Sequence, residues 1–257
     1  MIKAENISYS INNMLLLDQI SLAFQPNEIS MILGPNGAGK STLIKILSKQ
    51  IKPNKGRVIT NGNVLQNISQ SELAKTQAVL SQNIHMVFPM KVEEVVMMGR
   101  YPHFSSKAES NDKEIVLEAM KLFQVDEMAQ RNYLTLSGGE KQRVHFARVA
   151  AQVWPDGKQQ LKILLLDEPL TFLDINYQLD FMKKLKVMMN NQPMTVIGVV
   201  HDLNLAYKYS DQVIFLKSGK VFSQGRKEDV FTTSSLKEVF NLNAKFILNE
   251  GVRHLLF

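Results

Sequence analysis

A chain of 257 residues is long enough for one large domain or two small ones and for a sizeable packed core. Its 45% hydrophobic and 21% charged residues are a globular composition that excludes the disordered and fibrous classes, and the absence of cysteine excludes disulfides, thiol catalysis and thiolate metal sites. The formal charge of +6 suits a nucleotide, a nucleic acid or an anionic membrane face without choosing among them.

In chain order, Met1-Ile2-Lys3-Ala4-Glu5-Asn6 places an acid and an amide where a signal peptide needs an apolar stretch, and no later run approaches the roughly 18 apolar residues of a membrane span. The expectation is a chain that by itself neither spans a membrane nor is secreted. Ile7-Ser8-Tyr9-Ser10-Ile11 alternates apolar and polar residues. Apolar runs at 14–17 and 20–24 follow, with a turn at Pro26-Asn27, and together they predict an antiparallel, half-exposed sheet. Ile29-Ser30-Met31-Ile32-Leu33 predicts a short strand entering a glycine-rich loop, with a helix over 41–49 behind it. Turn signals at 53–56 and Asn61-Gly62 bracket 57–60 as a hairpin arm. From about 86 to 154 apolar spacings of three and four predict helices, ended by Trp154-Pro155-Asp156-Gly157. Apolar runs at 161–166 and 194–200, separated by a helical pattern over 176–190, have a βαβ rhythm that predicts a buried parallel sheet. Strands at 213–217 and 221–222 flank Ser218-Gly219-Lys220, and the remainder reads as short helix and strand. Without repeats or linkers, residues 1–257 are expected to form a single α/β domain with a helical subdomain at about 86–154 inserted in its core.

Three motifs carry chemistry. Gly34-Pro35-Asn36-Gly37-Ala38-Gly39-Lys40-Ser41 fits G-x-x-x-x-G-K-[S/T] between a strand and a helix. Its glycines let the backbone approach an anion and turn N–H groups inward at a helix N-terminus. Lys40 adds a point charge for the β and γ phosphates, and Ser41 a hydroxyl ligand for Mg²⁺. Ile163-Leu164-Leu165-Leu166-Asp167-Glu168 is an apolar strand that ends in two acids at the edge where open α/β sheets bind ligands. Asp167 suits the Mg²⁺ shell and Glu168 suits orienting or deprotonating an attacking water. In Leu136-Ser137-Gly138-Gly139-Glu140, Ser137 and Glu140 form a capping box that starts a helix. A cap needs no double glycine, which costs about 1 kcal/mol per residue inside a helix. The pair makes sense if the backbone and Ser137 must approach an anion closely.

At this third motif the sequence resembles the ATP-binding cassette (ABC) family, and the resemblance covers nearly the whole chain in the family's order. It implies a P-loop NTPase cassette with a parallel-sheet ATPase core, an N-terminal antiparallel β subdomain and a helical subdomain, with ATP and Mg²⁺ as cofactors. ATP is then expected on 34–42, the motif above together with Thr42. Ser137, Gly138 and Gly139 of one copy are expected to contact the γ-phosphate held by the other, so that two copies enclose two ATP molecules. Gln82, ending Ala78-Val79-Leu80-Ser81-Gln82, matches the glutamine loop that senses Mg²⁺ and the attacking water. His201, after Val196-Ile197-Gly198-Val199-Val200, matches the switch histidine that contacts the γ-phosphate, and Asp174 matches the D-loop across the dimer. Glu168, His201 and Gln82 are thus expected to be catalytic, and Ser41, Gln82 and Asp167 to serve Mg²⁺. The D-loop departs from the usual Ser-Ala-Leu-Asp in reading Thr171-Phe172-Leu173-Asp174, and either Tyr9 or Ile11 is available to meet the adenine.

One cassette without a spanning segment is compatible with a separate ATPase subunit that drives a membrane permease. A soluble cassette acting on nucleic acid or ribosomes usually carries a second cassette or long coiled coils, for which there is no room, and a purely regulatory nucleotide binder needs neither Glu168 nor His201. Val95-Val96-Met97-Met98-Gly99-Arg100-Tyr101-Pro102-His103 resembles a segment of importers for iron-siderophores, haem and vitamin B12. The stretch from Gln142 to Trp154 looks most like the haem-import ATPases. The expectation is a haem-import ATPase, with siderophore or vitamin B12 import as the alternative. Its partners would be a second copy, two membrane permease subunits and, through them, a periplasmic or surface substrate-binding protein, with no nucleic acid; its place would be the cytoplasmic face of the inner membrane. Read locally, Gly99 to His103 is a Pro-bounded helix end with Arg100 as a solvated charge. Met86, Met90, Met97 and Met98 read as an adaptable docking surface for a permease helix and not as haem ligands.

Overall fold

The computed structural model describes residues 1–81, 86–155, 160–171, 173–249 and 252–256. In chain order the elements are β1 (Ile2–Ile11), β2 (Met14–Phe24), β3 (Ile29–Leu33), α1 (Lys40–Leu47), β4 (Lys55–Thr60), β5 (Asn63–Val64), α2 (Gln70–Thr76) and β6 (Gln77–Leu80). Then come α3 (Val92–Met97), a 3₁₀ segment Met98–His103, α4 (Ser110–Leu122), α5 (Gly138–Gln152), β7 (Lys162–Asp167) and α6 (Ile175–Asn191). The chain continues through β8 (Met194–Val199), α7 (Leu203–Tyr209), β9 (Gln212–Lys217), β10 (Lys220–Arg226), α8 (Lys227–Val230), α9 (Thr233–Phe240), β11 (Lys245–Asn249) and β12 (Val252–Leu256). It divides into two compact units, Met1–Asn67 with Thr195–Phe257, and Ile68–Met194.

The first unit holds an antiparallel sheet in the order β2-β1-β4-β5. Asn12 and Asn13, at φ +47° and +63°, make the two-residue turn between β1 and β2, where primed turns match strand twist. The runs at 14–17 and 20–24 form one strand, with a bulge between them where Gln19 holds φ +51°. Beside this sheet β3, buried along its whole length, pairs in parallel with β8 on one side and β9 on the other; β10 runs antiparallel to β9. A short strand buried on both faces must be continuously apolar, which is how 29–33 reads.

In the second unit β6 and β7 pair in parallel, with Leu80 opposite Leu166. Helix α2 is absent from the sequence reading, although Ser69 and Glu72 form a complete capping box at its start. Phe123, Phe146 and Phe181 form an aromatic cluster, and the last two stack at 3.9 Å between ring centroids. Arg100 corrects the expectation of a solvated charge: it is 3% exposed and pairs at 2.9 Å with Asp112 of α4. Among the described residues no helix is long and apolar enough to cross a membrane.

Candidate nucleotide site

The loop after β3 is shaped by its glycines. A Cβ on Gly34 would lie 2.1 Å from the Leu216 carbonyl oxygen, and one on Gly39 would lie 2.6 Å from Leu17 Cδ2 and 2.7 Å from the Leu16 oxygen. Gly39 also holds φ +96°, where a side chain is strained. The loop therefore runs as bare backbone beneath β2 and β9. Ala38 N–H donates to the Pro35 carbonyl at 3.2 Å, and Leu43 N–H to the Gly39 carbonyl at 2.9 Å as α1 begins. Helix α1 has no side-chain cap at its N-terminus, and the N–H groups of a helix's first turn point along its axis to where an anion's oxygens are favoured. Lys40, 6% exposed, donates from Nζ to the carbonyls of Gly34 at 2.8 Å and Pro35 at 3.0 Å, which brings its ammonium across the mouth of the loop. Pro35, Asn36 and Gly37 are exposed, Ala38 is buried, and Ser41 and Thr42 are half-buried on the first turn of α1. This is an anion cradle that a Cβ would fill, and its donors fit a polyphosphate.

His201 leaves the sheet beside this loop. Ile32 of β3 is opposite Val199 of β8, and Val200 N–H donates to the Ile32 carbonyl at 3.4 Å. Gly34 and His201 thus follow adjacent parallel strands at the same edge, where ligands of open α/β sheets bind. His201 is exposed, and Asp202 behind it caps α7 by accepting from Leu205 N–H at 2.9 Å. Tyr9 is half-buried opposite Leu17, and Ile11 is 49% exposed opposite Met14.

In the second unit, Asp167 ends β7 with 6% exposure, and Ser81 leaves β6 at that same edge. Gln82, the next residue, lies outside the described residues. Glu168 is half-buried and holds φ +51°. Its turn is fastened from two sides: Thr171 Oγ1 donates to the Glu168 carbonyl at 3.0 Å, and Gln142 Nε2 of α5 donates to the Pro169 carbonyl at 2.6 Å. Gln142 was not among the residues expected from sequence, since an amide on a helix reads as solvent-facing. Gln178 Nε2 donates to the carbonyls of Leu170 at 3.2 Å and Leu173 at 3.0 Å, holding the loop that ends at Asp174. The Asp174 carboxylate caps α6, accepting from the N–H groups of Asn176 and Tyr177. Phe172, where the D-loop departs from the family pattern, lies outside the described residues.

The Ser137 motif stands at the exposed N-terminus of α5. Ser137 Oγ accepts from Glu140 N–H at 3.3 Å, and Glu140 Oε2 accepts from Ser137 N–H at 2.7 Å. These bonds, with Arg131 at 3.2 Å, hold the Glu140 carboxyl below its ordinary range, the backbone bond being the main cause. A Cβ on Gly138 would meet nothing of this chain within 4 Å, so packing within the chain does not demand the glycine. The approach to the motif is tied to the segment after the glutamine position, since Tyr133 N–H donates to the Met90 carbonyl at 2.8 Å and Val92 N–H to the Arg131 carbonyl at 3.1 Å.

Mg²⁺ takes one or two protein oxygens and completes its shell with phosphate and water, and each unit offers one donor of that kind, the Ser41 hydroxyl in the first and the Asp167 carboxylate in the second. Among the described residues no group of three or more His, Cys, Asp or Glu forms an all-protein metal cage.

Comparison with known proteins agrees with this chemistry. Residues 17–171 match the family model described as ABC transporter. The hemin import ATP-binding protein HmuV of Escherichia coli O157:H7 is 39% identical over 254 residues, covering 99% of this chain and 97% of that protein. Among solved structures, a chain of an ABC transporter in an inward-facing conformation superposes with a TM-score of 0.81 at 24% identity, covering 99% of this chain and 96% of that one. The dimeric structure of a bacterial ABC transporter cassette superposes with a TM-score of 0.76 at 26% identity, covering 88% of this chain and 99% of that one.

Proposed function

This chain belongs to the ABC transporter family, and from that premise we propose that it is the ATP-hydrolysing subunit of a haem importer. The observation that carries the cargo assignment is the 39% identity, over 99% of this chain, to a protein named for hemin import.

In the proposed cycle each copy binds ATP on 34–42. The bare backbone at Gly34 and Gly39 admits the phosphates, the first-turn N–H groups of α1 bond their oxygens, and Lys40 exchanges its carbonyl partners for the β and γ phosphates. Ser41, Asp167 and Gln82 are the residues that would hold Mg²⁺, which when bound neutralises charge on the phosphate oxygens. Ser137, Gly138 and Gly139 of a second copy close on the γ-phosphate, with Asp174 across the same dimer. Glu168 takes the proton of a water whose oxygen attacks the γ-phosphorus; the bond to the ADP oxygen breaks and inorganic phosphate leaves. His201 and Gln82 hold the γ-phosphate and the water in line. ATP favours the closed pair and ADP does not, so each turnover is one closing and one reopening.

The two copies would engage two permease subunits from the cytoplasmic face of the inner membrane, with a substrate-binding protein on the far side. A groove of about 490 Å³ on the helical lobe, lined in part by Met97, Val116, Leu117 and Met120, suits an amphipathic permease helix.

Glu168→Gln tests the chemistry. ATP binding should persist while hydrolysis falls by about 10²- to 10⁴-fold, the usual weight of a general base; turnover at the wild-type rate would remove Glu168 from that role. ATP-dependent uptake of haem, and not of ferric siderophore or vitamin B12, by proteoliposomes containing the chain and its permease tests the cargo.

A further inference from the structure

The segment Met98–His103 is pressed onto the C-terminal end of α5 by contacts that the catalytic reading leaves unused. A Cβ on Gly99 would lie 2.1 Å from the Arg148 carbonyl oxygen, so the backbone of this segment rests directly on the helix. Arg100 Nη1 donates to the Ala151 carbonyl at 2.8 Å, and His103 Nε2 lies 2.8 Å from the Gln152 carbonyl. These acceptors belong to the last turn of a helix, where carbonyls lack intrahelical partners and a cation is favoured. Gln152 itself donates to the carbonyls of Ala74 at 2.9 Å and Gln77 at 3.0 Å.

Arg100 also reaches the other way. Its Nε meets Asp112 Oδ1 at 2.9 Å, and the remaining oxygen of Asp112 accepts from Glu109 N–H at 3.0 Å at the start of α4. The groove on the helical lobe has Glu94, Met97 and Tyr101 on one wall and Lys113, Leu117 and Met120 on the other. Arg100 lies behind the groove, next to Tyr101 in the segment that carries the first wall, and Asp112 next to Lys113 in the helix that carries the second, so one buried ion pair joins the two elements and ties both to α5. The far end of that helix, about 22 Å away at 1.5 Å per residue over its 15 residues, carries Ser137.

We infer that Arg100, through Asp112, is a positioning residue that locks the groove and the Ser137 helix into one moving body. Stability alone does not account for such a pair: a buried ion pair is often replaced by apolar residues of similar volume without loss. What an apolar pair cannot supply is a planar fork that fixes two elements at set distances and angles. The inference rests on the reading that ATP draws the Ser137 end onto a second copy, and its consequence is that closure there alters the groove.

The test is hydrogen–deuterium exchange of the whole chain carrying Glu168→Gln, with and without Mg-ATP, compared with the same chain carrying R100M and D112L as well. In the first, ATP should slow exchange at 34–42 and 137–141 and change it at 93–101 and 113–120. In the second, the slowing at 34–42 and 137–141 should remain, while the groove response falls at least about fivefold, the lower range of measured couplings between sites. A groove response kept in full, or one absent from the parent while 34–42 is protected, overturns the inference. Absence of protection at 34–42 in the parent instead defeats the nucleotide reading. R100K serves if the double replacement does not fold: an ammonium keeps the charge but lacks the planar fork that fixes Asp112 and the Ala151 carbonyl at set angles, so an intermediate response is expected and an unchanged one overturns the inference.

Discussion

Glu168 holds φ at +51°, a region that costs a non-glycine residue about 1–3 kcal/mol. It is kept there by its neighbours: Asp167 is buried at the end of β7, and the two carbonyl bonds from Thr171 and Gln142 pin the turn. Nothing in Leu166-Asp167-Glu168-Pro169 announces that conformation, although the acid at the end of an apolar strand is plain in the sequence. His145 is a second residue whose state depends on its surroundings. It is 3% exposed on α5, its Nε2 lies 2.7 Å from the Tyr133 hydroxyl, and burial, with Arg148 adding to it, lowers its pKa to about 3. Between pH 6.5 and about 3 the unfolded chain binds a proton at this residue and the native chain does not, so stability is full above 6.5 and falls as the pH drops. Urea unfolding at pH 7 and pH 5 should show wild type losing about 2 kcal/mol more than His145→Gln over that interval. Equal losses would mean that His145 is protonated in the native protein.

At the scale of elements, helix and strand periodicity located most of what the fold contains, and the failures have local causes. The two apolar runs at 14–17 and 20–24 are one strand, because a bulge interrupts period-2 patterning without ending the pairing. The second unit's helices are held by apolar faces that periodicity does reveal, but which faces meet is a matter of packing. Phe146 and Phe181 stack at 3.9 Å across α5 and α6 with Phe123 beside them, joining the helix of Ser137 to the helix capped by Asp174. Phe181→Ala removes α6's ring from this cluster. It should lower unfolding free energy by about 3–5 kcal/mol, the range for a buried aromatic truncation, read from the urea midpoint. A loss under about 1 kcal/mol would mean that the helices repack without it.

At the scale of the whole molecule, Ser137 caps α5 but stays exposed, and a Cβ on Gly138 would meet nothing of this chain within 4 Å. Ser137→Arg should leave ATP binding at 34–42 intact and abolish hydrolysis, because a long cation occupies the place of the γ-phosphate contact supplied to the second copy. Full ATPase activity in that variant would sink the shared-site dimer. The family and its nucleotide were legible in the chain because phosphate chemistry demands particular residue types at short, fixed spacings, and spacing is a property of sequence. Gln142 on the Pro169 carbonyl, the Tyr133–His145 bond and the burial of Arg100 against Asp112 were not legible. Each joins residues brought together by long-range packing, and a charge that reads as solvated becomes a buried clamp only when three helices close around it.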